Sequence, residues 1–235
     1  MSWVITGAEK VAQDLYLYTN TVLLLKGDGT NGSTTILDSS KVAGGPKTVT
    51  VVGNAQISTA QSKFGGSSIA FDGNSDYLTV PSSADFNFGL GDYTIELWVR
   101  FNSVASAQTI ASRYQSWATV VHFYLELTGD AKIRYRAGNS LPINLSSAST
   151  ITPNVWRHLT ITCSGGTTRL FLDGQLEAST VATASLTSTQ PLGIGYELTG
   201  GGFYLNGYID DLRITKGIAR YTSNFTPPTA PFPDI

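Results

Sequence analysis

The sequence has few charged side chains and almost no cysteine. Charged residues make up 14% of the 235 residues and the formal net charge is −2, whereas globular domains average roughly 25% charged residues. A net charge this small gives no bulk attraction to nucleic acid or to an anionic membrane surface. The single cysteine, Cys163, excludes an intrachain disulfide and a thiolate metal cluster. We expect it to be a small buried apolar side chain.

Long apolar runs are also missing. No segment reaches the roughly 18 consecutive apolar residues that a membrane-spanning helix needs, which predicts no membrane insertion. The first seven residues lack the basic and apolar regions of a secretory signal peptide. We therefore expect the protein to be made in a host cytoplasm and to leave it, if at all, by another route, such as cell lysis within a particle.

The residues that are abundant favour strands and turns. The chain contains 24 Ser, 29 Thr and 24 Gly; threonine is β-branched and suits strands, while serine and glycine suit turns. Residues 93–101 alternate, with Tyr93, Ile95, Leu97 and Val99 on one face of a strand. Asp173-Gly174 is typical of a two-residue hairpin turn. Further strands are predicted at residues 22–26, 47–52, 67–71, 77–80, 107–113, 119–127, 131–137, 155–163, 168–172, 175–179 and 204–214.

Turn signals recur every 8–15 residues and no long helical period is present, which predicts an all-β protein, an antiparallel β-sandwich. We divide the chain into an N-terminal arm (residues 1–21), a sandwich domain (residues 22–221) and a proline-rich C-terminal tail (residues 222–235). The tail carries Phe225 and Phe232 among four of the nine prolines, so it cannot form a central strand. Exposed apolar ends favour assembly with other subunits. The alternative is that both ends fold back over the domain.

Four segments, in order, resemble the laminin-G-like jelly rolls of the concanavalin A-like lectin/glucanase superfamily. They are residues 63–80, with Phe71-Asp72-Gly73 near their centre, residues 92–100, residues 156–174 and residues 207–214. The resemblance implies a jelly-roll sandwich over about residues 22–221. It does not imply one activity, because the superfamily includes lectins, pentraxins, glycosidases and plain scaffolds.

The two ends of the chain are similar to those of small tailed-phage particle proteins. The similarity rests on the opening residues 1–7 and on the tail residues 225–233. It implies a virion component whose partners are other virion proteins or copies of the same chain.

The sequence offers little for hydrolysis, so we predict a non-enzymatic protein. Glycosidases need two carboxylates at a defined separation, and the superfamily's glucanases place theirs on one strand face. The five glutamates include no such pair, and Glu96 stands alone between apolar residues. The consecutive Asp210 and Asp211 are expected on opposite strand faces. Of the two histidines, His158 follows Trp156 in a strand, which favours simple packing.

Calcium is the candidate ligand among cofactors, because it prefers carboxylate and carbonyl oxygens from turns. Asp28 lies in an oxygen-rich loop after the first strand, Asp38 follows, and Asp211 lies on the closing strand. The resemblance places the first and last strands close together, so these three residues are the predicted site, and Asp72 and Asp76 form a second possibility. The alternative is that they are turn-forming aspartates that accept backbone hydrogen bonds.

Glycan binding needs aromatic faces with polar groups around them. The candidate residues are Tyr114, Trp117, His122 and Tyr135. Trp117 lies in a polar segment between strands, and its alternative role is that of a loop anchor. The glycine-rich stretch that ends at Phe203 and Tyr204 is a secondary candidate.

Two functions remain open from the sequence. The first is a lectin-like virion component that binds a bacterial surface glycan or receptor from a tail or fibre. The second is a capsid decoration or structural protein, in which the sandwich is a rigid body and the ends mediate assembly.

Overall fold

The structure, a computed structural model, describes residues 19–41, 45–116, 120–201 and 203–233. These ranges contain fifteen strands and one short 3-10 helix at Ala84–Phe86, and no helix within them is long and apolar enough to cross a membrane. The strands are β1 Thr21–Leu25, β2 Thr50–Val52, β3 Gln56–Ser58, β4 Ser68–Asp72, β5 Tyr77–Val80, β6 Tyr93–Phe101, β7 Gln108–Ser116, β8 Val120–Leu127, β9 Lys132–Ala137, β10 Ile143–Thr150, β11 Arg157–Ser164, β12 Thr167–Leu172, β13 Gln175–Val181, β14 Leu192–Ile194 and β15 Asn206–Lys216. The all-β prediction is confirmed.

The strands form two antiparallel sheets that pack face to face. The eight-stranded sheet has the order β13-β12-β11-β6-β15-β4-β3, with β1 paired to β15 beside β4. The seven-stranded sheet has the order β10-β9-β8-β7-β14-β5-β2. This is the predicted sandwich, in which consecutive hairpin strands such as β7 to β10 combine with pairs that are distant in sequence, such as β6 and β15.

The core lies between the sheets and follows the alternation of the strands. In β6, Ile95, Leu97 and Val99 face inward and are at most 1% exposed. Leu159 and Ile161 of β11 pair with two of these positions in antiparallel register and share the core. Fully burying such a side chain contributes about 1.5–3 kcal/mol, so the inner faces carry most of the stabilisation.

The C-terminal tail lies along the outer face of the eight-stranded sheet. Tyr221 and Phe225 stack with ring centroids 3.6 Å apart, and Phe225 contacts Phe171 of β12 edge-on at 5.4 Å. The guanidinium of Arg213 lies 3.6 Å from the ring centroid of Phe232. Several hydrogen bonds fix the C-terminal segment, among them Thr94 to Ile218, Thr162 to Tyr221, Phe225 to Gly174, and Phe232 to Asp211.

These contacts correct the expectation that the tail is presented to other subunits. The rings of Phe225 and Phe232 pack on the chain's own sheet, so the fold-back alternative holds for residues 222–233. Residues 1–18 of the N-terminal arm lie outside the described part of the chain, and their role stays a prediction.

A buried carboxylate lies at the centre of the covered face. Glu96 is completely buried, and its oxygens accept hydrogen bonds from Arg213 at 2.9 Å and from the Tyr221 hydroxyl at 3.1 Å. Arg220 of the C-terminal segment is 3.5 Å away. Burial alone would raise the pKa of Glu96, but attraction by the guanidinium groups of Arg213 and Arg220 lowers it. The C-terminal segment therefore supplies two of the groups that compensate this buried charge.

His158 packs under the tail, as predicted, and is completely buried. Burial lowers its pKa to about 4 although Glu96 acts in the opposite direction. At neutral pH His158 is therefore uncharged, and its 3.7 Å approach to Glu96 is a contact between a carboxylate and a neutral ring.

A β-bulge corrects the expectation for the two consecutive aspartates. The register of β15 against β6 shifts between Asp210 and Arg213, and Asp211 has φ +48°. Asp210 accepts the backbone N–H groups of residues 63 and 64, and Asp211 accepts that of Phe232, so both carboxylates serve segments that cover the outer face. Simple alternation fails here because the bulge adds a residue.

We predict that Gly174→Ala loosens the tail. Gly174 has φ +76°, and a Cβ there would stand 2.0 Å from the carbonyl oxygen of Phe225. Gly166→Ala is the matched control, because Gly166 has φ +78° and open space around it. Both variants incur backbone strain of about 1–2 kcal/mol, but only Gly174→Ala should lose about 2 kcal/mol more and become sensitive to proteolysis near residue 225. Equal free energies of unfolding for the two variants would contradict the docking.

We also predict a pH dependence from His158. Its pKa is about 4 in the fold and about 6.5 in an unfolded chain, so its contribution is complete above pH 6.5 and is lost as the pH falls toward 4. His158→Gln should therefore lose about 3 kcal/mol less than the wild type between pH 7 and pH 4. The comparison cancels the opposite effect of Asp210 and Asp211, whose pKa values burial raises to about 6 and about 7. Denaturant titrations at both pH values measure the difference, and parallel curves would contradict it.

Candidate functional site

The four residues predicted to bind a glycan do not form one surface. Tyr135 is completely buried in the core, where its hydroxyl lies 2.9 Å from that of Tyr93. His122 is 1% exposed and lies 5.2 Å from Phe88; burial lowers its pKa to about 3. Neither ring can be reached by a glycan. Trp117 lies outside the described residues, so its role stays a prediction.

Bulges in β7 and β8 explain why the sequence pattern placed these residues wrongly. The pairing of the two strands shifts register three times between Thr109 and Ser116. His122 and Phe123 consequently both contact Phe88 in the interior, although regular alternation would separate them. Tyr114 is 6% exposed and packs edge-on against Tyr124 at 5.8 Å, away from the main core.

The three aspartates predicted to bind calcium are not assembled into a site. Asp38 is 6% exposed, and its oxygens accept hydrogen bonds from Leu24 N, Lys47 N and both N and Oγ of Ser40. It therefore organises the chain after β1, which is the alternative role stated above.

Asp28 and Asp211 interact through their charges. Burial raises the pKa of Asp211, and repulsion by Asp210 and Asp28 adds to the shift. The described residues contain no group of three or more acidic, histidine or cysteine side chains that could hold a metal ion. Calcium binding by Asp28 and Asp211 stays a prediction from the sequence.

The outer face of the seven-stranded sheet carries polar side chains around Tyr124. Its hydroxyl lies 2.8 Å from Thr109 Oγ1, and Arg136 lies 5.2 Å from its ring centroid. Glu126 of the same strand binds Arg134 at 2.8 Å and Arg136 at 2.6 Å. One carboxylate thus faces two guanidinium groups, and these ion pairs hold the three side chains in place on the face.

Glu197, from the segment after β14, approaches the same tyrosine. Burial raises the pKa of Tyr124, and the charges of Glu126 and Glu197 add to the shift. Glu197 itself is held by the hydroxyl of Thr199 at 2.8 Å and by the backbone N–H of Gly201. The sequence could not show this pairing, because the two glutamates are separated by seventy-one residues and meet only through the sheet order.

Three tyrosines form an aromatic platform beside this face, which we call the tyrosine platform (Tyr77, Tyr196 and Tyr204). The rings of Tyr196 and Tyr204 stack at 4.2 Å with an interplanar angle of 8°, and Tyr77 lies 5.1 Å from Tyr196. Tyr77 and Tyr204 are half-buried, and the adjacent Phe203 is 43% exposed. The platform thus offers apolar ring surface at the protein's exterior.

Local backbone bonds hold the platform in place. Tyr77 is the first residue of β5, while Tyr196 and Tyr204 lie on either side of the loop after β14. The base of that loop is closed because Leu205 N donates to Gly195 O, and Thr109 N donates to Phe203 O. Gly193 leaves room for the loop: a Cβ there would stand 2.6 Å from Tyr196 O. The glycine-rich secondary candidate identified from the sequence is one part of this platform.

Comparison with solved structures agrees with this architecture. The binding domain of the paraclostridial mosquitocidal protein 1 matches with a TM-score of 0.67 and 19% identity, over 86% of this chain and 50% of that one. The botulinum neurotoxin type G receptor-binding domain matches with a TM-score of 0.59 and 16% identity, over 85% and 48%. A botulinum neurotoxin type C structure matches with a TM-score of 0.63 and 13% identity, over 87% and 50%. The chain spans about half the length of these domains, and the likeness at this identity concerns the fold.

Sequence comparison is more specific about family. Among curated proteins, none matches the chain significantly. A laminin-G-type model of the concanavalin A-like lectin/glucanases superfamily matches residues 72–219, which run from the end of β4 to just beyond β15 and include most of both sheets. The resemblance found in the sequence is therefore confirmed, and the chain belongs to the laminin-G-type family of the concanavalin A-like lectin/glucanases superfamily.

Proposed function

We propose that this protein is a non-enzymatic, lectin-like component of a bacteriophage virion that binds a host-surface glycan or receptor from a tail or fibre. The tyrosine platform is the observation that carries the binding part of the proposal. The virion part rests on the similarity of the two chain ends to tailed-phage particle proteins.

The platform has the chemistry that sugars require. The apolar face of a pyranose ring packs on an aromatic ring, while hydroxyl and amide groups around it form hydrogen bonds. Tyr77 and Tyr204 supply partly exposed rings, and the hydroxyls of the same tyrosines are suited to bonding sugar hydroxyls. A platform of stacked rings loses little entropy on binding, because its rings already hold one another in place.

The solved structures with a similar fold support the same class of function. They are binding domains of toxins, and for botulinum neurotoxin type C cell uptake is described as dependent on interaction with two ganglioside molecules. Gangliosides carry sugars, so a sandwich of this fold occurs in proteins that recognise glycans.

The two glutamates beside the tyrosine platform favour binding over hydrolysis at that place. A glycosidase needs one carboxylic acid with a raised pKa and one free carboxylate. Glu126 is paired with two arginines, and Glu197 is held by Thr199 and Gly201. Carboxylates held in this way serve to position neighbouring groups.

The alternative function, a capsid decoration or structural protein whose ends mediate assembly, now rests on the N-terminal arm. The rings of Phe225 and Phe232 are engaged with the domain itself. That engagement removes the C-terminal support for the alternative and leaves the receptor-binding proposal as the better one.

A glycan panel tests the proposal. We expect the protein to bind some immobilised bacterial surface polysaccharides or oligosaccharides weakly, since a stacked ring adds only about 0.5–1.5 kcal/mol beyond buried area. Tyr204→Ala should reduce that binding up to about tenfold, while Tyr204→Phe, which keeps the ring, should retain most of it. Many copies on a particle would restore strong attachment through avidity.

Leu176→Ala is the matched control for this test, because Leu176 is 45% exposed on β13, in the other sheet. It should leave glycan binding unchanged. Reproducible binding that is insensitive to both Tyr204→Ala and Tyr77→Ala would show that the platform is not the site. No binding to any member of the panel would remove the proposed function itself.

A further inference from the structure

A second concave surface lies on the outer face of the eight-stranded sheet, beyond the part covered by the tail. We call it the Tyr208 groove. It has a volume of about 270 Å³, and it is lined by Asn54, Gln56, Ser58, Ala70, Phe71, Asp72, Asp76, Asn102 and Tyr208. It lies at the edge where β3 ends the sheet.

The register of four strands creates the groove. Gln56 of β3 pairs with Ala70 of β4, Ala70 pairs with Tyr208 of β15, and Tyr208 pairs with Arg100 of β6. Their neighbours Ile57, Ile69, Ile209 and Val99 belong to the core, so the row itself points outward. Ala70 is the one small side chain in this row, and its size leaves a depression between Gln56 and Tyr208.

One aromatic face borders that depression. The guanidinium of Arg100 lies 5.6 Å from the Tyr208 ring centroid, yet Tyr208 lines the groove and Arg100 does not. Arg100 also donates to Asn102 Oδ1 at 2.7 Å, so its charge is held beside the groove, and the Tyr208 ring lines the groove itself. Its groove-facing side is available to pack on an apolar surface of a ligand, and Tyr208 is itself half-buried and rigidly held in a central part of the sheet.

Unused hydrogen-bonding groups surround this ring. Within the described part of the chain, the side-chain amides of Asn54 and Gln56 and the Tyr208 hydroxyl have no hydrogen-bond partner in the protein. Asp72 accepts the N–H of Asn74 through one oxygen, and its carboxyl group is also hydrogen-bonded to that of Asp76. The groove therefore combines an aromatic face with amide, hydroxyl and carboxylate groups, which is the combination that sugar recognition needs.

The rim of the groove is fixed before any ligand binds. Asp76 is 2% exposed and accepts hydrogen bonds from the backbone N–H groups of Asn54 and Asp72. The Asn102 amide bonds Asn206 at 3.0 Å. A preformed rim lowers the entropy cost of binding.

The charge of the lining selects among sugars. Asp72 and Asp76 contribute two carboxyl groups to the lining, whereas the guanidinium of Arg100 does not line the groove and is engaged by Asn102 Oδ1 at 2.7 Å. A sugar acid would bring a like charge toward two carboxylates, which is unfavourable. Uncharged hexoses and N-acetylhexosamines carry only hydroxyls and amides, which match the free groups of the rim.

From these observations we propose that the Tyr208 groove is a binding subsite for one neutral pyranose residue, stacked on Tyr208 above Ala70. This inference rests on the proposed glycan-binding function and specifies a second place and a ligand class for it. The tyrosine platform and the groove lie near the same end of the sandwich, because Asp76 immediately precedes Tyr77 and Tyr208 follows Tyr204 by four residues.

The test uses the full chain on immobilised oligosaccharides that end in glucose, galactose, an N-acetylhexosamine or sialic acid. We expect binding to one or more neutral terminal sugars in preference to sialic acid. Ala70→Leu should fill the groove and Tyr208→Ala should remove the ring, each weakening neutral-sugar binding by about tenfold. Tyr208→Phe should bind within about threefold of the wild type, since it keeps the ring and loses one hydroxyl.

Ser146→Leu is the matched control, because Ser146 is an exposed residue of β10, at the far edge of the other sheet. It should leave binding unchanged. Melting temperatures check that each variant is folded. If Ala70→Leu does not fold, Gln56→Ala replaces it, since this change removes only a half-buried rim amide.

The outcomes separate the groove from the broader proposal. If Ala70→Leu and Tyr208→Ala bind neutral sugars as the wild type does while Tyr204→Ala does not, the groove is not a subsite and the proposed function stands. A preference for sialylated glycans would overturn the assignment of ligand class. If the wild-type protein binds no glycan at all, both proposals fail.

Discussion

The structure depends on the compensation of one buried carboxylate. The alternation of β6 sends Glu96 to the outer face of the eight-stranded sheet, where it is completely buried. An isolated charge in such a place costs several kcal/mol. Arg213 comes from the sheet itself, but Arg220 and Tyr221 come from the segment after β15. The outer face is therefore complete only when the C-terminal segment lies across it.

The C-terminal segment that covers the outer face limits which aromatic side chains a ligand could contact. The middle of the eight-stranded sheet carries Trp98, His158 and Phe171, aromatic side chains of the kind that bind ligands on open sheets, and all three are at most 5% exposed. The tail and the loop at residues 59–66 use that surface for the protein's own stability. Partly exposed aromatic rings lie instead near the end of the sandwich where β5 and β15 begin. The proposed recognition surface therefore lies on a rigid frame whose larger aromatic surface is already occupied.

The sequence predicted the parts of the fold that regular alternation governs. The inward face of β6 and the Asp173-Gly174 turn between β12 and β13 follow the expected pattern. The short strands β3 and β14 were not predicted, because three residues are too few for a period to be visible, and the serine-rich β10 resembles a loop in composition.

The candidate site was harder to predict for three physical reasons. Bulges in β7 and β8 turned His122 inward, so a pattern of aromatic residues did not correspond to a surface. Asp38 is bound to backbone groups that no sequence spacing reveals. Tyr77 and Tyr196 are distant in sequence and meet only through the sheet order. The glycine-rich approach to Tyr204 was the one local signal, because flexible residues beside aromatic rings are visible in the sequence itself.

Hydrogen exchange of the tail amides tests most directly whether the C-terminal segment is an integral layer of the domain. Arg220 N donates to Thr94 Oγ1, Phe225 N donates to Gly174 O, and Phe232 N donates to Asp211 Oδ2. If the tail is part of the folded unit, these three amides exchange far more slowly than in an unstructured peptide. Their protection should also fall together when Glu96 is replaced by Gln. Exchange at the rate of a free peptide, with the amides of β6 still protected, would contradict the account.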